Sequence, residues 1–118
     1  MWWRVAETKA ELGITDSQAS EIDQIFQTNV PALREAKDAL DKLDAEVAQV
    51  IKAATADVST VNQLVGRAEQ ARAKLTTTRT VMFYRMHRVL SPEQRAKLNA
   101  MFERWEAERR KTTESTRR

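Results

Sequence analysis

The stretch Leu90-Ser91-Pro92-Glu93-Gln94 holds three helix-start signals. A serine hydroxyl at Ser91 can accept a hydrogen bond from the free N–H groups of a first turn. Pro92 falls where a helix tolerates proline, and Gln94, three residues after the cap, can reach back to the Ser91 backbone. An apolar stripe at helical spacing follows, made of Leu98, Met101, Phe102 and Trp105. A weaker copy stands near the N-terminus in Leu12-Gly13-Ile14-Thr15-Asp16-Ser17-Gln18. There Thr15 and Gln18 occupy the cap and reciprocal positions. Two capped helix starts, far apart in the chain, frame everything between them.

The composition agrees with an all-helical chain. Its 118 residues include only 2 Gly and 2 Pro, and Ala, Leu, Glu, Lys, Arg and Gln are plentiful. A hydrophobic content of 42% suffices for one core. No apolar run approaches the ~20 residues that span a bilayer. Met1-Trp2-Trp3 is not a signal peptide, since no apolar segment follows it; an exported form would carry a leader that precedes this sequence. The absence of cysteine excludes disulfides and thiolate metal sites. The net charge of +3 hides an asymmetry: residues 1–57 carry 6 basic and 11 acidic side chains, and residues 58–118 carry 14 and 6. Opposite charge favours contact between the halves, within one chain or between two.

The periodicity predicts four helices. Trp2 to Leu12 reads as a short first helix with Trp2, Val5, Ala6 and Ala10 apolar, stopped by Gly13 as a C′ glycine. The second helix starts after Thr15. One heptad line reads Ala19, Phe26, Leu33, Leu40, Val47 and Ala54, and its companion reads Ile22, Asn29, Ala36, Leu43 and Val50. That is a continuous seam broken only by Asn29. Pro31 is expected to kink or split this helix, with Asn29 taking up the freed carbonyls or the exposed end. A turn over Ala54 to Ser59 offers Asp57 and Ser59 as alternative caps. The third helix, from about Val58 to Leu90, carries the stripe Val61, Leu64, Ala68, Ala71, Leu75, Met82, Met86 and Val89. The fourth begins at Pro92 and is expected to end near Arg110. A single domain over residues 1–111 and a flexible polar tail over 112–118 follow from this reading.

The doubled pattern, Leu or Ile followed by Thr/Ser-x-x-Gln, resembles the Spy/CpxP-like periplasmic chaperones and the related heavy-metal-resistance and metal-sensor proteins. The resemblance runs from about Trp2 to Arg110 and is most specific over Leu90 to Phe102. It implies a dimer of bent helical hairpins forming a cradle, exported to the periplasm. The residues point the same way on one matter. Two long helices joined by a tight turn make a hairpin too thin to bury both faces, so an elongated antiparallel homodimer is expected.

Enzyme chemistry finds little support: there is one histidine, His87, no cysteine and no glycine-rich loop. A metal site has Met82, Met86 and His87 as its only candidates. Met82 and Met86 share a helix face, but His87 points ~100° away from Met86, so one helix cannot gather them on one ion. No metal is therefore expected; the alternative, Zn, Ni or Co sensing with a signal passed to a membrane sensor or anti-sigma partner, rests on the resemblance. Nucleic acid is not an expected partner, because the basic residues are spread over several faces.

The third helix offers a surface for unfolded clients. Arg72 and Arg79 are seven residues apart and Met86 seven further on, all within the apolar stripe, with Phe83 beside them; Arg67, Lys74 and Arg85 flank the other side. Methionine adapts its shape, and arginine pairs with acids and stacks on aromatics. Alternatively, Arg72 and Arg79 pair with Asp38, Asp41, Asp44 or Glu46 of the acidic second helix. The two readings are not exclusive. The expected activity is ATP-independent chaperoning or envelope-stress signalling without catalysis or cofactor.

Overall fold

A computed structural model describes residues 1–117, all of whose regular elements are helical. A 3₁₀ turn, Trp2–Arg4, precedes α1 (Ala6–Leu12), α2 (Asp16–Ala53), α3 (Val58–Arg88) and α4 (Pro92–Arg117). The all-α fold of four helices expected from periodicity is what the chain forms.

The helix ends follow local chemistry. Gly13 adopts φ 69°, the left-handed conformation that glycine reaches without a Cβ penalty. Its N–H donates to the Ala10 carbonyl at 3.2 Å, and the Ile14 N–H donates to Lys9 at 3.0 Å, the paired bonds of a Schellman stop. Asp57, not Ser59, caps α3: its carboxylate accepts from the Thr60 N–H at 3.4 Å and from the Thr60 hydroxyl. These bonds hold the Asp57 carboxyl below its ordinary pKa. The α2 stop is less comfortable, since Ala54 takes φ 53° with a full Cβ.

Three expectations need correction. The first helix is not continuous from Trp2: Val5 is extended (φ −87°, ψ 121°) and separates the 3₁₀ turn from α1. The core-facing residues are accordingly Trp3, Thr8 and Leu12, while Val5 and Ala10 are exposed. The split allowed for at Pro31 does not occur; α2 runs through it. Proline removes one N–H and leaves the Gln27 carbonyl unserved. Asn29 does not take that carbonyl but donates to Ile25 at 2.8 Å, as Thr28 does to Gln24. Packing of Leu33, Ala36 and Leu40 beyond the proline holds the helix. Finally, α4 does not end near Arg110 but continues to Arg117, because no glycine or proline follows Pro92. Its last turns carry an Arg110–Glu106 pair at 2.9 Å, and the Thr112 and Thr113 hydroxyls donate one turn back. Of the expected polar tail, Arg118 lies outside the described residues.

The helices form two compact units. One joins residues 1–23 to the chain from Met86 onward; the other is residues 24–85. The first has a three-dimensional core of Trp3, Leu12, Ile14, Ile22, Met86, Leu90, Leu98 and Met101. Each buried aliphatic side chain of this size stabilises by about 1.5–3 kcal/mol. The second unit is a two-helix seam centred on Ala36, Leu40 and Leu75, with Leu33 and Ala71 against it. Two helices bury one stripe each, so Leu43, Val47 and Val50 of the heptad lines are only half-buried.

Candidate client-binding surface

The two motif copies meet in the first unit. Each forms the expected capping box. The Gln18 N–H donates to Thr15 Oγ1 at 3.0 Å and the Thr15 N–H to Gln18 Oε1 at 3.0 Å. The Gln94 N–H donates to Ser91 Oγ at 3.2 Å and the Ser91 N–H to Gln94 Oε1 at 2.9 Å. Capping uses the amide oxygens and leaves both NH₂ groups to be satisfied elsewhere. They are satisfied by each other: Gln18 Nε2 donates to Gln94 Oε1 at 2.9 Å, and Gln94 Nε2 to Gln18 Oε1 at 3.1 Å. The remaining donors reach backbone carbonyls at matching offsets. Gln94 donates to Gly13, two residues before Thr15, at 2.8 Å; Gln18 donates to Val89, two residues before Ser91, at 3.2 Å. Ile14 and Leu90, just before the caps, are both buried, and so are Ile22 and Leu98, seven residues after the caps. The clasp is therefore a pseudo-symmetric pair of two copies of one capping pattern. It fastens the start of α2 to the start of α4. Pro92 occupies the first position of α4, as its fixed φ suits.

A second fastening lies at Trp3. Its indole Nε1 donates to Asp23 Oδ1 at 2.8 Å, and Arg4 Nε donates to the same oxygen at 2.7 Å. The bond from Trp3, then that from Arg4, holds the Asp23 carboxyl below its ordinary pKa. Trp2 stacks edge-on against Trp3 with centroids 5.4 Å apart.

On α3 the buried line is Ala68, Leu75, Met82 and Met86. At 3.6 residues per turn, Arg72, Arg79 and Phe83 fall about 40–80° to one side of it, and Arg67, Lys74 and Arg85 about 80–100° to the other. All six are exposed. Arg72 and Arg79 thus edge the stripe rather than lie within it. Met86 does not join them: at 1% exposure it is core, because it falls on the buried line itself. Arg72 takes the ion-paired alternative. Its Nη2 donates to Asp44 at 3.0 Å and its Nε to Glu69 at 3.3 Å, which raises its pKa, chiefly through Glu69. Arg79 makes no ion pair among the described residues. Val65 and Val81, which lie outside the predicted stripe, are also exposed on these flanks. Their spacing of seven from Arg72 and Lys74 is the signal that places them there.

The metal candidates are distributed as the helix wheel requires. Met82 and Met86 are both buried, one turn apart, whereas His87 is half-buried with its ring 6.3 Å from Phe102. Among the described residues no three His, Cys, Asp or Glu side chains are placed to hold one ion. No helix among the described residues is long and apolar enough to cross a membrane.

Comparison with curated proteins and with solved structures gives no significant match. The model of the LTXXQ motif family matches residues 1–102, from the 3₁₀ turn to Phe102 in α4. In this chain the motif stands as Ile14-Thr15-Asp16-Ser17-Gln18 and Leu90-Ser91-Pro92-Glu93-Gln94, the two segments that the glutamine clasp joins. By that match this chain belongs to the LTXXQ motif family, the family of the Spy/CpxP-like periplasmic proteins.

Proposed function

We propose that this protein is an ATP-independent periplasmic chaperone or envelope-stress adaptor that binds unfolded or partly folded proteins without catalysis. The observation that carries this reading is the composition of the exposed α3 flanks. Phe83, 45% exposed, stands beside Arg79 on one flank, and Val81 with Lys74 and Arg85 on the other. Apolar and cationic groups held side by side on a rigid helix can take apolar and acidic segments of unrelated sequence. Family membership supports the same reading. The chain works as a homodimer: the second unit buries one stripe only, and Ile51 and Val58 at its turn are among the most exposed large hydrophobics. Light scattering at micromolar concentration then reports twice the chain mass.

The test is aggregation of a denatured protein followed by light scattering, with thermal melts alongside. Arg79→Ala with Phe83→Ala should weaken suppression while the melting temperature barely moves. Arg72→Ala should act mainly on stability, since it unpairs Asp44. Salt should reduce capture of acidic clients more than apolar ones, because exposed charges are screened beyond ~8 Å at physiological ionic strength. Unchanged suppression by the folded double variant would remove this surface from the mechanism.

A further inference from the structure

A groove of about 240 Å³ lies between α1 and α4 in the first unit, lined by Glu7, Thr8, Glu11, Met101, Arg104, Trp105 and Glu108. Three of these residues stand beyond Phe102, where the family match ends. Three glutamates face one arginine there. Arg104 is engaged by Glu11 at 2.6 Å, which leaves Glu7 and Glu108 without an ion pair among the described residues. Thr8 adds an independent observation. It is only 8% exposed, yet its hydroxyl has no hydrogen-bond partner among the described residues. Nor is that oxygen sealed off from solvent. Thr8 lines the groove, where its hydroxyl can accept a bond. Met101 is buried below, and the Trp105 indole, 39% exposed, forms a wall.

We propose that this groove binds a primary alkylammonium group, supplied by a lysine side chain of a peptide or by a free polyamine. An ammonium carries three donors and no acceptor. The Thr8 hydroxyl, Glu7 and Glu108 supply acceptors. The indole face attracts the charge, and Met101 and Trp105 cover the alkyl stem. A small metal ion is not served, because no three acidic or histidine side chains among the described residues converge on one point. The net negative charge of the lining selects cations on a chain that is basic overall. This inference is independent of the client surface on α3.

Calorimetry on the full chain, with spermidine in one arm and a short lysine-containing peptide in the other, tests it. The same peptide acetylated on lysine is the control. Saturable binding in either arm supports the site, and the arm that binds identifies the source. Acetylation should abolish peptide binding. Glu7→Gln and Glu108→Gln, both at exposed positions, should each weaken binding about tenfold while leaving the melting temperature in place. Thr8→Val should weaken it as well. No saturable heat in either arm, or full affinity in the folded Glu7→Gln and Glu108→Gln variants, would overturn the proposal.

Discussion

Gln18 and Gln94, 76 residues apart, close a reciprocal amide pair in which each donates to and accepts from the other at 2.9 and 3.1 Å. Each amide oxygen also caps its own helix, so one side chain serves a local and a tertiary bond together. Gln94→Ala removes the bonds to Ser91, Gln18 and Gly13. It should cost about 2–3 kcal/mol, as several bonds go and part-buried partners are orphaned. Ser91→Ala should cost about 1 kcal/mol, the usual loss for a cap. Chemical denaturation of both variants, and of a Gln18→Ala, Gln94→Ala double-mutant cycle, checks the order. The coupling should be about 1–2 kcal/mol. Equal costs for Ser91→Ala and Gln94→Ala would mean that the clasp contributes nothing beyond capping.

Asp23 sets an acid limit on the first unit. Its folded pKa is lowered from 3.8 by the bonds from Trp3 and Arg4. A lowered carboxylate stabilises the fold above its unfolded pKa, and that contribution is lost as pH falls through the folded value. Melting temperature should therefore drop below about pH 4. Asp57, lowered in the same direction by Thr60, adds to the loss. Asp23→Asn keeps an acceptor for Trp3 but cannot titrate. Melts across the acid range should show a shallower drop for this variant, and an identical slope would remove Asp23 from the account.

Ala54 ends α2 in the left-handed region at φ 53°, with its N–H donating to Val50 at 3.0 Å. An alanine Cβ is strained there, and glycine is not. Ala54→Gly should raise stability by about 0.5–1 kcal/mol, the relief of strain less the extra entropy of the unfolded chain. Ala48→Gly, at an exposed position inside the same helix, should lower it by about 1 kcal/mol. Paired thermal melts distinguish the two.

Zinc, nickel and cobalt should leave the melting temperature nearly unchanged. Met82 and Met86 are buried in the helix line, and His87 turns toward Phe102. Titrating each metal into chelator-treated protein is the measurement. A saturable rise that disappears in His87→Ala would restore the metal-sensor alternative.

The elements were legible because their causes are local. Gly13, Thr15, Pro92 and Ser91 act within one turn of where they stand, and they mark where α1 ends and where α2 and α4 begin. The seam from Ala19 to Val50 and the stripe from Val61 to Val89 are buried or half-buried throughout, whereas Ala54, the last residue of the heptad line, is exposed at the turn. What periodicity alone could not decide is which neighbour a side chain meets. Trp2 and Trp3 are equally apolar; the Asp23 carboxylate on α2 accepts the indole of Trp3, which is the one buried. Arg72 and Arg79 sit on one flank, yet only Arg72 lies within reach of Asp44. Met86 falls in with Arg72 and Arg79 by its seven-residue spacing, but a seven-residue step turns a helix ~20° short of two full turns. That drift, added to the earlier one, carries it into the core. The glutamine amides show the division most clearly. Their oxygens cap residues three positions away, which a sequence can state. Their NH₂ groups need acceptors, and only the folding of two distant helix starts against each other decides that each finds the other.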